Sequence, residues 1–270
     1  MKDSWFDSVA PVTVSLVFLA LPATLVIRLA GPWSARPAYS EQLGATEAAY
    51  RKAVDQARSP DTRFVSKSLL GFRPDRPVTV VTWIQKGWLP SYQQADPKKT
   101  IQIHKDVWVT AVPFLKAFCQ QYVRLHGADS EQLALRLKEH MGLPAGSDYD
   151  TFVELTVDPK DNARLLRPCG DSSVNNTSCT VPDLPNASDV WVKKPTVSSP
   201  SQEWVLRNYY SNYASRQAYP WTALGYTFDW ALKADSNEFE RYGETEFLIP
   251  KDDPVHFVSA ASTVAYCTPP

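Results

Sequence analysis

The run from residue 8 to residue 27 contains no charged side chain, and it constrains the chain more than any other feature. About 20 apolar residues suffice to cross a bilayer as one helix. An N-terminal transmembrane helix of signal-anchor type is therefore expected within residues 1–30, with a short stalk over 31–40. Pro11 and Pro22 fit such a helix if it starts or bends near them. A cleaved signal peptide fits less well, because the apolar run exceeds the usual core of such peptides and Pro32 follows the small residues where cleavage would fall. A buried helix of a soluble protein is the third alternative. Lys2 on one side and Arg28 and Arg36 on the other leave the orientation undecided by charge.

The cysteines speak to orientation instead. Cys119, Cys169, Cys179 and Cys267 all follow the apolar run, an even number compatible with two disulfides in an oxidising compartment. Nine residues, most of them turn-forming, separate Cys169 from Cys179, which suits a local bridge and leaves Cys119 to Cys267; the crossed pairings stay open. The bland counterpart is four buried thiols in a cytosolic domain. The expected placement is the bacterial inner membrane, single-pass, with the domain in the periplasm. Zinc is disfavoured, since there is no Cys-x-x-Cys pair and His104, His126, His140 and His256 are scattered. No metal and no cofactor is expected.

A chain with 44% apolar and 12% aromatic residues can fill a sizeable core, and a formal charge of -1 gives no electrostatic basis for nucleic-acid binding. With 22 prolines against 10 glycines, short bounded elements are favoured over flexible loops. Helical spacing predicts helices over 41–58, 114–125, 130–141 and 201–214, the third capped by Asp129 with Leu133, Leu137 and Met141 on one stripe. Alternation and β-branched content predict strands over 78–84, 101–110, 151–157, 245–249 and 255–266, the first two as neighbours and the last two as an antiparallel pair. The expected class is α+β, a mainly antiparallel sheet with packed helices, in a single exported domain over 41–270. A disulfide-linked loop falls near 159–200.

Catalytic signatures are sparse. There is no G-x-S-x-G elbow, no H-E-x-x-H helix and no glycine-rich phosphate loop, so no catalytic residue is assigned. His104 with Asp106 could form an acid–base pair, against the plainer alternative of a surface histidine beside a solvated carboxylate. Glu154, Asp229 and Glu246 are the carboxylates that could serve a two-carboxylate hydrolase; the plainer alternative is that each caps a loop or pairs with an arginine such as Arg167. Asn175, Asn176 and Asn186 head N-x-[ST] triplets, which carry no meaning in a bacterial host.

The aromatic residues are more informative. "YPWTALGYTFDW", residues 219–230, follows a Tyr-rich helix, with Pro220 and Gly225 as turn points. Tyr219, Asp229 and Trp230 are expected at an exposed rim, and Trp221, Tyr226 and Phe228 nearer the core. Together Tyr219, Trp221, Asp229, Trp230, Trp88 and Tyr92 are the candidate binding residues, because large rings with polar tips anchor partners at low entropic cost. Trp83, Trp108, Tyr209, Tyr210 and Tyr213 crowd the same regions.

The ordered segments "DVWVTAVPFLKAFC", "GLP", "TFVEL", "RPCGD", "YPWTALGYTFDW", "ETEFLI" and "AYC", spread over about 106–267, resemble a group of exported, membrane-anchored bacterial proteins of no established activity. That resemblance implies a cell-envelope setting and transfers no catalytic residue. The function expected is a non-catalytic envelope protein, anchored through its N-terminal helix, that binds a protein partner or serves as an accessory subunit of a membrane assembly. A glycan or peptidoglycan binder using the Trp/Tyr cluster and an envelope hydrolase are the alternatives.

Overall fold

The computed structural model describes residues 39–93, 99–169, 173–182 and 200–269. The expected membrane anchor and stalk lie outside them, as do Asn186 and much of the 159–200 loop. No helix among the described residues is long and apolar enough to cross a membrane.

The fold is α+β, with a mainly antiparallel sheet and packed helices. In chain order come α1 (Tyr39–Ala57), β1 (Val78–Ile84), β2 (Ile101–Gln102), β3 (Val107–Ala111), α2 (Val112–His126), α3 (Ser130–His140) and β4 (Thr151–Val157). There follow α4 (Pro200–Ala214), β5 (Tyr226–Leu232), β6 (Phe239–Thr245), β7 (Phe247–Ile249), β8 (Pro254–Ser262) and α5 (Thr263–Cys267). Six strands form one sheet in the order β2-β8-β4-β1-β3-β7, and β5 and β6 form a separate hairpin.

The sheet curls because two bent ribbons pair along both of their arms. β3 pairs with β7 and β2 with β8. Between these arms the Ile103 N–H donates to the Asp253 carbonyl, and the Asp252 N–H to the Ile103 carbonyl. The curl encloses a core of Val80, Ile84, Ile101, Val107, Val109, Val153, Leu155, Phe247, Ile249 and Val255. On the opposite face Val81, Trp83 and Phe152 pack against Leu115 and Cys119 of α2, Leu133 and Leu137 of α3, and Tyr266 of α5. Asp129 caps α3 by accepting the Glu131 and Gln132 N–H groups. In α1, Tyr50, Ala53, Val54 and Ala57 recur at one-face helical spacing and bury against Phe228, Trp230 and Phe239.

Four expectations are corrected. β7 and β8 are not a hairpin: residues 250–253 run on beside Ile103 instead of doubling back, so the strands pair with β3 and with β4 and β2. The strand expected over 101–110 breaks at 103–106 for the same reason. The segment 255–266 ends as a strand at Ser262, whose hydroxyl accepts the Ala265 N–H and starts α5. Residues 226–232, expected as a loop, form β5, which pairs with β6 across a turn closed by Lys233 N–H to the Glu238 carbonyl.

Both local and distant cysteine pairs are bridged: Cys169 to Cys179, and Cys119 to Cys267. The first orders the described part of the 159–200 loop over Arg167. That arginine is 1% exposed and donates to the carbonyls of Leu70, Val174 and Asn176 rather than serving Glu154, Asp229 or Glu246 as an expected partner. The two bridges fit an exported protein and point to an oxidising, extracytoplasmic compartment.

Candidate functional site

A cleft of about 540 Å³ opens between the outer face of the sheet, the C-terminal half of α4 and the loop that leads into β5. This is within the size range of ligand pockets. On the sheet side lie Trp83 of β1 and Trp108 and Thr110 of β3; Glu246, at the junction of β6 and β7, closes the far end. Tyr149, Tyr219 and Trp221 complete the aromatic wall. The α4 side is polar. Asn208, Ser211 and Asn212 line it at i, i+3 and i+4, one face of a helix, and Ser215 follows just past the helix end.

The loop is held in place residue by residue. The Asn212 side chain clips Tyr219 at both backbone groups, accepting its N–H at 2.8 Å and donating to its carbonyl at 2.8 Å. The Tyr213 hydroxyl donates to the Trp221 carbonyl at 2.6 Å. The Trp221 ring meets Trp108 edge-on at 5.4 Å, with Trp204 and Tyr209 at its other sides. Further on, Gly225 has φ +78°, and a side-chain carbon there would lie 2.6 Å from Cys179 Sγ. Only glycine fits that conformation over the disulfide. Trp83 is pinned by stacking on Phe152 and by donating its indole N–H to Thr263.

The rings differ in access. Tyr219 and Trp108 are 42% and 39% exposed, whereas Trp221 is 6% exposed. Tyr149 lies beside Tyr219, and burial with that neighbour pushes its hydroxyl up to about 12. Three polar atoms around the cleft, Thr110 Oγ1, Trp221 Nε1 and Glu246 Oε2, are buried and have no hydrogen-bond partner among the described residues. The β3–β7 register, carried one residue beyond the Val109–Phe247 pair, sets Glu246 opposite Thr110. Burial pushes the Glu246 carboxyl up to about 8, opposed by the nearby Trp221 indole.

The candidate residues separate clearly. Tyr92, Tyr219 and Trp221 line the cleft. Trp88 does not: it is exposed with Lys105 over its ring. The rim placement of Asp229 and Trp230 is overturned, since they are 2% and 1% exposed. Because residues 226–232 form a strand under α1 and α3, Trp230 packs edge-on against Tyr50 and donates to the Leu143 carbonyl. Asp229 accepts two bonds from Arg136, at 3.0 and 2.7 Å, and contacts His140 Nδ1 at 2.9 Å. His140 reaches Glu244 with its other nitrogen at 3.0 Å and stacks on Phe118. Burial opposes its charge, but the two carboxylates outweigh burial and raise its pKa. Against the same burial, His140 and Arg136 hold Asp229 below the usual carboxylate range.

The carboxylates do not converge. Glu154 pairs across strands with Val81, Val81 with Thr110, and Thr110 stands opposite Glu246. Three strand spacings put Glu154 about 14 Å from Glu246. Glu154 is held by Ser259 and Lys116. Asp106 also lines the cleft, but four residues along the chain from Thr110 place it about 13 Å away. It accepts the Trp204 indole N–H and the Lys251 N–H, and forms no acid–base pair with His104.

Sequence reasoning missed the polar stripe of α4 and the role of Thr110. The 208, 211, 212, 215 spacing was a usable signal; the pairing of Thr110 with Glu246 was not, since it depends on strand order. In comparisons with known proteins, no family model, no curated protein and no solved structure matches this chain.

Proposed function

We propose that this chain is a non-catalytic binding domain of the bacterial cell envelope, tethered to the inner membrane through residues 8–27, whose cleft receives an extended segment of a protein partner. One observation carries it: a ligand-sized cleft in which exposed Trp108 and Tyr219 face a polar helix stripe. Such a mixture offers apolar contact area from the rings beside a polar wall. The two disulfides support an extracytoplasmic setting. The wide spacing of Glu154, Asp106 and Glu246, and the enclosure of Asp229, support binding over two-carboxylate hydrolysis.

The test is co-purification from detergent extracts of the native host, with a Trp108→Ala/Tyr219→Ala double variant as control. A partner retained by the wild type and lost by the double variant is expected. A chain that elutes alone in both cases would refute the proposal. The amide and hydroxyl stripe of α4 opposite two exposed rings also favours a second proposal, a cell-wall glycan in the same cleft. Quenching of tryptophan fluorescence by wall fragments, abolished by Trp108→Ala, would favour it over the protein partner.

A further inference from the structure

Polar groups buried without partners are uncommon in a folded chain and call for an explanation. Here three of them gather at the inner end of one cleft. Thr110 is 3% exposed and Trp221 6% exposed, and neither Thr110 Oγ1, Trp221 Nε1 nor Glu246 Oε2 has a bond among the described residues. The set is a carboxyl group, a hydroxyl that can accept, and an indole N–H beside the carboxyl. The two oxygens match a group that donates hydrogen bonds and carries positive charge once the carboxyl ionises, with the indole N–H as a further donor that steadies the carboxylate. None of the basic side chains among the described residues supplies it: Lys105, which lines the cleft, is turned over the Trp88 ring at 3.9 Å.

We propose that the inner end of the cleft, formed by Glu246, Thr110 and Trp221, is a subsite for a primary ammonium group carried on a slim apolar stem, the side chain of a lysine presented by the bound segment. The stem follows from depth. Glu246 Oε2 is buried while Trp108 and Tyr219 are exposed, so the charged group must be delivered past aromatic rings. A methylene chain passes such rings and gains apolar contact on the way. A hexosamine carries its amine directly on a bulky ring. This inference rests on the cleft being a binding site, and it names what that site selects.

The proton balance gives a direct signature. The empty carboxyl, raised to about 8, is mostly protonated at neutral pH. An arriving ammonium ion favours the carboxylate, so Glu246 releases its proton to solvent as the ion pair forms, and no bond is made or broken in the ligand. The titratable groups facing it are Trp221's neighbour Tyr213 behind, Tyr149 and Tyr219 across the cleft, and Lys105 and Asp106 at the mouth.

The experiment uses the whole chain in detergent, with the blocked tripeptide acetyl-Gly-Lys-Gly-amide, its Nε-acetylated form, and glucosamine as probes at up to about 20 mM. Binding is followed by carbon NMR of labelled glutamate carboxyls, with the Glu246 resonance identified by its loss in Glu246→Gln, and by proton release at pH 7. The lysine probe is expected to release close to one proton and move the Glu246 resonance; acetylation or Glu246→Gln should weaken binding by about 30-fold or more. Thermal unfolding of Glu246→Gln verifies that it folds, and Thr110→Val, which keeps the carboxyl, should weaken the lysine probe to a lesser degree. Equal binding of the lysine and acetyl-lysine probes, with both lost in Trp108→Ala, would overturn the ammonium subsite and leave the cleft standing. A response to glucosamine alone would overturn the lysine assignment. No response of Glu246 to any probe would overturn the inference, and the co-purification above would then decide separately whether the cleft binds at all.

Discussion

Glu246→Gln should stabilise this protein at alkaline pH and do little at acid pH. The wild-type carboxyl holds its proton to about 8 when folded, because it is buried, but only to about 4.3 when unfolded. Between those values the folded chain binds one proton more than the unfolded chain. Stability therefore falls as pH rises through that window, the reverse of an ion-paired carboxylate. Integrated across the window the loss approaches about 5 kcal/mol, and water entering the cleft should reduce it to about 2–4 kcal/mol. Glutamine keeps the shape and never ionises. Urea unfolding of both proteins at pH 5, 7 and 9 provides the assay, because the difference between them cancels the titration of His140, Glu139 and every other shared group. The expected result is a gap below about 1 kcal/mol at pH 5 that widens to at least about 2 kcal/mol at pH 9. A gap that stays constant across this range would refute the burial argument, and with it the placement of Glu246 Oε2 away from water.

Asp229→Asn should cost about 2–4 kcal/mol near neutral pH, since it takes the shared carboxylate from the part-buried Arg136 and the buried His140, which keep only Glu139 and Glu244. Because that carboxyl is held below its usual range, its contribution is present above about pH 4 and fades below it, so chemical denaturation should show the penalty shrinking in acid. Removing the Cys119–Cys267 bridge, which spans 148 residues, should lower stability by up to about 5 kcal/mol, measurable as a drop in Tm on Cys119→Ser/Cys267→Ser. Gly243→Ala should prevent proper docking of the hairpin, because its new carbon would lie 2.2 Å from the His140 carbonyl and from Thr227 Oγ1. Soluble yield and near-ultraviolet circular dichroism would register this, and a native-like spectrum would refute it.

Much of the fold was legible where periodicity was strong. β1 and β4 fall at 78–84 and 151–157 as alternation and β-branched content require, and α3 follows its cap at Asp129. What escaped was long-range. The local pattern of "GYTFDW" fits a loop rich in rings, and only pairing with β6 and burial under α1 make it a strand that hides Asp229 and Trp230. Likewise nothing near residue 250 in the sequence says that the chain will continue past Ile103 rather than turn back. At the cleft, the rings were visible by type, whereas their exposure was set by which strands and helices meet there. Asp229 was chosen for its charge among aromatics; its actual partners, Arg136 and His140, come from a helix almost a hundred residues earlier.

The Cys169–Cys179 bridge lies directly beneath the aromatic loop, with the Cys179 sulfur against Gly225 and Cys169 bridged to Leu224. The floor of the loop is therefore built from an oxidised sulfur pair rather than from side chains available at synthesis. A newly made chain with reduced thiols lacks that floor, and the wall bearing Tyr219 and Trp221 has less to rest on. Reducing that bridge is therefore expected to loosen the side of the cleft that carries Tyr219 and Trp221, so the shape of the cleft depends on the oxidation state of two sulfurs that do not themselves line it.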